Sequence, residues 1–172
     1  MKAAAVIIVL LAVFVFWLSS SRAEPLAVGA KAPTLTAPDE NGAPVDFGKV
    51  YAHGTTLVYF YPKAGTPGCT AEACSLRDSI TDLKNLGITV IGVSHDTAEA
   101  QKKFKEKNKL PFTLIADHEG KVIQAFGVPT YVLGISKRQS FLVKDGKVAW
   151  RSLDAQTSTH AEEVRKAVAE LK

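Results

Sequence analysis

Beyond residue 23 the apolar positions change period along the chain, and each change predicts an element. Residues 24–31 read as an extended lead-in. Residues 35–47 hold two short extended pieces around the turn Asp39-Glu40-Asn41-Gly42, the pattern of a small hairpin. Residues 55–61 are β-branched and aromatic, as a buried strand would be, and Pro62 stops the run. From Pro67 or Gly68 the spacing becomes helical, with Leu76, Ile80 and Leu83 as apolar positions, and Gly87 closes a helix that ends near Asn85. Residues 88–94 form a second strand, almost continuously apolar, as strands covered on both faces are. A polar helix over 97–108, a third strand over 112–116 and a helical turn over 122–126 follow. Residues 139–144 and 147–152 then alternate on either side of Asp145-Gly146, a strong hairpin signal. Ser158 or Thr159 caps a last helix that carries Val164, Val168 and Leu171 on one face.

Strand, helix, strand, helix, strand, hairpin, helix is an α/β order. It requires a mainly parallel central sheet with helices on both faces, made mixed by the antiparallel closing hairpin. No repeat, linker or low-complexity segment interrupts it, so residues 24–172 are read as one domain. Residues 1–23 stand apart: Met1-Lys2, an apolar run from Ala3 to Leu18, then small residues around Ser21 and Ala23. This is the pattern of a secretory signal cleaved after Ala23. Trp17 and Arg22 keep a retained membrane anchor as the alternative, and either places the domain outside the cytoplasm, in the periplasm.

Composition narrows the function classes. The chain is 47% hydrophobic and 22% charged, a globular balance that excludes disorder and a disulfide-dense mini-scaffold. Its formal charge of +4 includes Lys2 and Arg22, and what remains is too small and too scattered for a nucleic-acid surface. Lys102, Lys103, Lys105, Lys107 and Lys109 are read as a solvated helix face. The four histidines are scattered, no zinc-ligand spacing emerges, and neither a phosphate loop nor a GxSxG elbow is present. No metal or other cofactor is expected, and a monomer is expected.

The two cysteines carry the candidate chemistry. Cys69 falls in the first turn of the helix after the first long strand, where unpaired N–H groups and the helix dipole favour an anion. A thiolate is the reactive form of cysteine. Pro67 and Gly68 shape the loop, and Thr66 can turn its hydroxyl toward the sulfur. Cys74 lies five residues on, about 7.5 Å of helical rise away, whereas a disulfide needs its Cα atoms roughly 4.4–6.8 Å apart. A sulfenic acid on Cys69 could condense with Cys74 only if the first helical turns unwound. The spacing therefore suggests a labile redox disulfide, with a permanent bridge across a non-helical segment as the alternative.

The stretch Pro62-Lys63-Ala64-Gly65-Thr66-Pro67-Gly68-Cys69-Thr70-Ala71-Glu72-Ala73-Cys74, followed by Arg77-Asp78, resembles the peroxiredoxins, and within them the Q-type, bacterioferritin-comigratory-protein branch. The resemblance runs from Val28-Gly29 through the final hairpin. It implies a thioredoxin-like fold and an atypical two-cysteine peroxidase acting on hydrogen peroxide and organic hydroperoxides, recycled by a thioredoxin-like or other thiol reductant. On this resemblance Cys69 is the peroxidatic cysteine and Cys74 the resolving one. Thr66 hydrogen-bonds the peroxide, Pro62 shields the thiolate, and Arg138 lies beside the sulfur with Glu72 orienting it. Gly68 belongs to the substrate-binding loop. Val128-Pro129-Thr130 also resembles the cis-proline loop of thioredoxins, and Arg138 is preferred as the active-site element because the hairpin follows it directly. A competing reading keeps the fold but makes the protein an exported thiol–disulfide oxidoreductase, although four residues rather than two separate its cysteines. A third makes it a non-enzymatic scaffold with an inert bridge.

Overall fold

A computed structural model describes residues 24–171, so the signal-like segment lies outside the described residues. β1 (Thr36–Pro38) and β2 (Pro44–Asp46) pair antiparallel as a small separate hairpin. The main sheet contains β3 (Thr55–Phe60), β4 (Ile88–Ser94), β5 (Thr113–Ala116), β6 (Gln139–Lys144) and β7 (Lys147–Ser152), in the order β5-β4-β3-β6-β7. The pairs β3/β4 and β4/β5 are parallel, whereas β3/β6 and β6/β7 are antiparallel. The helices are α1 (Phe47–Tyr51), α2 (Pro67–Asp78), α3 (Ile80–Asn85), α4 (Ala98–Asn108), α5 (Lys121–Ala125) and α6 (His160–Glu170).

Side chains alternate across a strand, so β3 feeds two cores at once. Leu57 and Tyr59, with Tyr61 just beyond the strand, face α2, α3, α4 and α6, meeting Leu76, Leu83, Phe104 and Val164. Val58 and Phe60 face the other way, toward Phe47 and Tyr51 of α1 and Val122 and Ile123 of α5. Every one of these β3 residues is fully buried, which is why the strand reads as an unbroken apolar run. Asp145 and Gly146 take φ values of 52° and 70°, the paired positive angles of the turn that the Asp-Gly signal called for.

Four local expectations change. The helix expected over 67–85 is divided at Ser79, which sits at φ −100°, ψ 9°, outside the helical region. Serine is a weak helix former, and the bend turns Ile80 and Leu83 onto the core. Phe47 is not the end of the hairpin but the first residue of α1, with Asp46 as its cap: Oδ1 accepts from Lys49 N at 3.2 Å. The last helix has Thr159 at its cap position without a side-chain cap bond, the Thr159 carbonyl accepting from Glu162 and Glu163 instead. The lysine-rich α4 is also not wholly solvated, because Lys105 pairs with the nearly buried Glu40, whose other oxygen accepts from Leu114 N at 3.0 Å.

Packing leaves no spare room where β4 runs between β3 and β5. A Cβ on Gly92 would stand 2.8 Å from Leu114 Cδ2 and from two ring carbons of Tyr59. Gly92→Ala should therefore lower unfolding stability by about 1–3 kcal/mol, the range for overpacking a filled core. Urea denaturation followed by circular dichroism checks this.

Candidate active site

Pro62 ends β3 and leads into a loop tied down on both sides. The Ala64 N–H donates to Asp96 Oδ2 at 2.8 Å, and Asp96 also accepts from Ser94 Oγ at 2.7 Å. Ser136 Oγ donates to the Tyr61 carbonyl at 3.0 Å. Gly65 holds φ at 79°, a conformation that glycine takes without strain, so its presence in the loop has a backbone reason. Thr66 then takes the cap position of α2 with extended backbone, and Pro67 starts the helix, where its missing N–H removes nothing.

This places Cys69 in the first helical turn, among N–H groups with no intrahelical acceptor. Only 1% of Cys69 is exposed, so its sulfur is shielded from bulk solvent. Arg138, from the segment entering β6, donates from Nη2 to Cys69 Sγ at 3.3 Å. Its Nη1 donates to Glu72 Oε2, whose residue lies one turn further along α2 and is fully buried. Burial pulls the guanidinium down, but the charge of Glu72 and the bond to Cys69 outweigh it and hold Arg138 above its ordinary value. A fixed positive charge thus stands at the sulfur together with the helix N-terminus.

The remaining expected residues fall around this centre. Gly68 backs onto Arg138, where a Cβ would lie 3.5 Å from Nη2. Pro62 is half-buried and borders a cavity of about 300 Å³ whose walls include His95, Leu133 and Ile135; Cys69 does not line it. Thr66 differs from expectation: its hydroxyl donates to the Lys63 carbonyl at 3.0 Å rather than pointing its proton at the sulfur. That leaves the oxygen lone pairs available as acceptors. Cys74 lies on the same continuous helix as Cys69, half-buried, and both thiols are free. The permanent-bridge alternative is absent from this structure. Every peptide among the described residues is trans, Val128-Pro129 included.

Sequence reasoning missed His160 and Ser140. His160, fully buried, opens α6 and places Nδ1 3.1 Å from Glu72 Oε1, an ion-pairing distance without the in-line approach of a hydrogen bond. Its Nε2 lies 2.9 Å from Ser140 Oγ on β6. The imidazole thus lies between the Glu72 carboxylate and the Ser140 hydroxyl. One signal for His160 was readable: it stands four residues before Val164 and eight before Val168, on the buried stripe of its helix. Tyr59, beneath the site, has a fully buried hydroxyl without a hydrogen-bond partner; burial holds its phenol far above its ordinary value, with Tyr61, Glu72 and Cys69 adding to the effect.

The profile of the AhpC/TSA family matches residues 28–151, a span that includes both cysteines, Glu72 and Arg138. Peroxiredoxin Bcp of Escherichia coli (strain K12) is 40% identical over 144 residues, covering 79% of this chain and 91% of its own length. The chain belongs to the peroxiredoxins. Peroxiredoxin Q, chloroplastic, of Oryza sativa subsp. japonica is 43% identical over 124 residues, which is 71% of this chain and 57% of the rice protein. The crystal structure of Peroxidoxin BcpB from Mycobacterium tuberculosis superposes with a TM-score of 0.80 at 30% identity, over 86% of this chain and 99% of that one. The mixed sheet with its flanking helices is accordingly the thioredoxin-like peroxiredoxin fold. This peroxiredoxin is of the Q/Bcp type and is a peroxidase that draws its electrons from thiols.

Proposed function

We propose that Cys69 is the sulfur that attacks the peroxide and Cys74 the thiol that resolves it. The observation that carries the proposal is the 3.3 Å bond from Arg138 to the Cys69 sulfur at the start of α2. The Cys69 thiolate attacks the terminal oxygen of ROOH. The O–O bond breaks, RO⁻ leaves and takes up a proton as ROH, and Cys69 becomes a sulfenic acid. Arg138 shares its donors between the sulfur and the charge developing on the departing oxygen. Thr66, its proton engaged by Lys63, accepts from the peroxide hydroxyl, while Pro62 and Gly68 form the mouth that shields the sulfur. Glu72 fixes the orientation of Arg138.

Cys74 then bonds to the Cys69 sulfur and the sulfenic oxygen leaves as water with the Cys74 proton. Both thiols lie on one helix, so the first turns of α2 must unwind for the sulfurs to meet. A thioredoxin-like dithiol returns the two electrons. Hydrogen peroxide fits the buried sulfur, and the apolar walls of Leu133 and Ile135 beside Pro62 offer a place for the tail of an organic hydroperoxide. The composition of residues 1–23 supports operation outside the cytoplasm.

Cys74→Ser tests the division of labour. The variant should consume one equivalent of peroxide per protein, then stall until an external thiol is added. Absence of a Cys69–Cys74 disulfide in the wild type after one equivalent of peroxide would reject Cys74 as the resolving thiol.

A further inference from the structure

The cycle above gives no role to His160, although it is fully buried against the carboxylate that holds Arg138. We infer that the Glu72–His160 contact is a latch that keeps the Cys69–Cys74 segment helical, so that His160 is a positioning residue governing how long the Cys69 sulfenic acid waits for Cys74. The inference rests on the resolution step proposed above.

Glu72 lies between the two cysteines, inside the stretch that must unwind. Its carboxylate is gripped from two sides, by Arg138 through Oε2 and by His160 at 3.1 Å from Oε1. The grip is anchored on the sheet rather than on the helix. Ser140 of β6 holds the far nitrogen of His160 at 2.9 Å, and the Tyr59 ring of β3 meets the imidazole edge-on with centroids 6.0 Å apart. One turn further along α2, Ser75 Oγ accepts from the Ala161 N–H at 3.3 Å, a second tie between α2 and the start of α6.

Unwinding 69–74 moves Glu72 and cannot leave its contacts with Arg138 and His160 in place. Withdrawal of Glu72 strips Arg138 and His160 of a buried carboxylate, and a buried charge left without its partner is strongly unfavourable. The latch therefore favours the wound helix, in which Cys69 faces peroxide, and slows the change that lets Cys74 bond to Cys69 with loss of water. While it holds, a second peroxide molecule can oxidise the sulfenic acid to the sulfinic acid.

The test uses the full chain, reduced and mixed with one equivalent of hydrogen peroxide. Timed quenching with dimedone and an alkylating agent, read by peptide mass spectrometry, separates sulfenic acid from the Cys69–Cys74 disulfide. His160→Ala should speed capture about tenfold or more, because the buried Glu72 carboxylate loses the polar ring packed against Oε1. It should raise by a similar factor the peroxide dose that converts half of Cys69 to sulfinic acid. His160→Asn keeps a polar side chain at this position and should fall between His160→Ala and the wild type. Ser75→Ala, away from the sulfur, should also speed capture while leaving the first oxidation rate unchanged. A merely structural role for these residues would lower thermal stability without speeding the second step. Capture that is unchanged or slower in folded Ser75→Ala and His160→Asn overturns the latch. If the wild type forms no Cys69–Cys74 disulfide, the resolution step itself fails and the latch with it.

Discussion

Cys69→Ser will abolish catalysed peroxide reduction while leaving the fold intact. A serine hydroxyl fills nearly the same space in the first turn of α2, so the buried packing around Ala73 and Leu76 is retained. It does not ionise near neutral pH and cannot supply the two electrons that a sulfur gives to the O–O bond. The expected loss is at least about 10³-fold in kcat/KM, down to the uncatalysed background. A coupled assay with a thioredoxin-like donor, run beside circular dichroism, reads both parts. Appreciable peroxide turnover by the serine variant would show that the chemistry resides elsewhere.

Arg138→Met should reduce kcat/KM by about 10²–10³-fold, the range found when one donor to a developing oxyanion is removed. It should also destabilise the fold, because Glu72 loses the cation that faces it at a fully buried position. Removing one partner of such a pair costs about 3–5 kcal/mol. Arg138→Lys separates the two effects. It keeps a positive charge for Glu72, yet a single ammonium lacks the planar fork that here reaches Cys69 and Glu72 through different nitrogens. Stability should recover more than activity does. Equal recovery of both in urea titration and steady-state kinetics would mean that Arg138 acts only by holding the site together.

Much of this architecture was legible in the residues. The apolar runs of β3 and β4 gave away burial on both faces, and Asp145-Gly146 pinned the closing hairpin, because positive φ at two adjacent positions has few sequence solutions. Cys69 was readable because strand end, loop, proline and helix start are local signals. Other features depended on contacts between distant segments. The division at Ser79 depends on how Ile80 and Leu83 reach the core, which spacing alone leaves open. Glu72 and His160 each sit on an apolar helix stripe, a sign that a polar group is buried and needs a partner. Their pairing spans α2 and α6 and leaves no mark in either segment alone. The hydroxyl of Thr66, by contrast, is settled locally by the Lys63 carbonyl, a turn contact that the sequence did not reveal.

Amide hydrogen exchange across 66–78, compared between the reduced protein and the protein oxidised by one equivalent of peroxide, probes the central claim most directly. Helix melting on capture predicts that the amides from Cys69 to Cys74 are protected when both thiols are free and lose that protection as the linked Cys69–Cys74 peptide appears. Retained protection in the linked protein, or oxidation that leaves Cys69 and Cys74 unlinked, would contradict it.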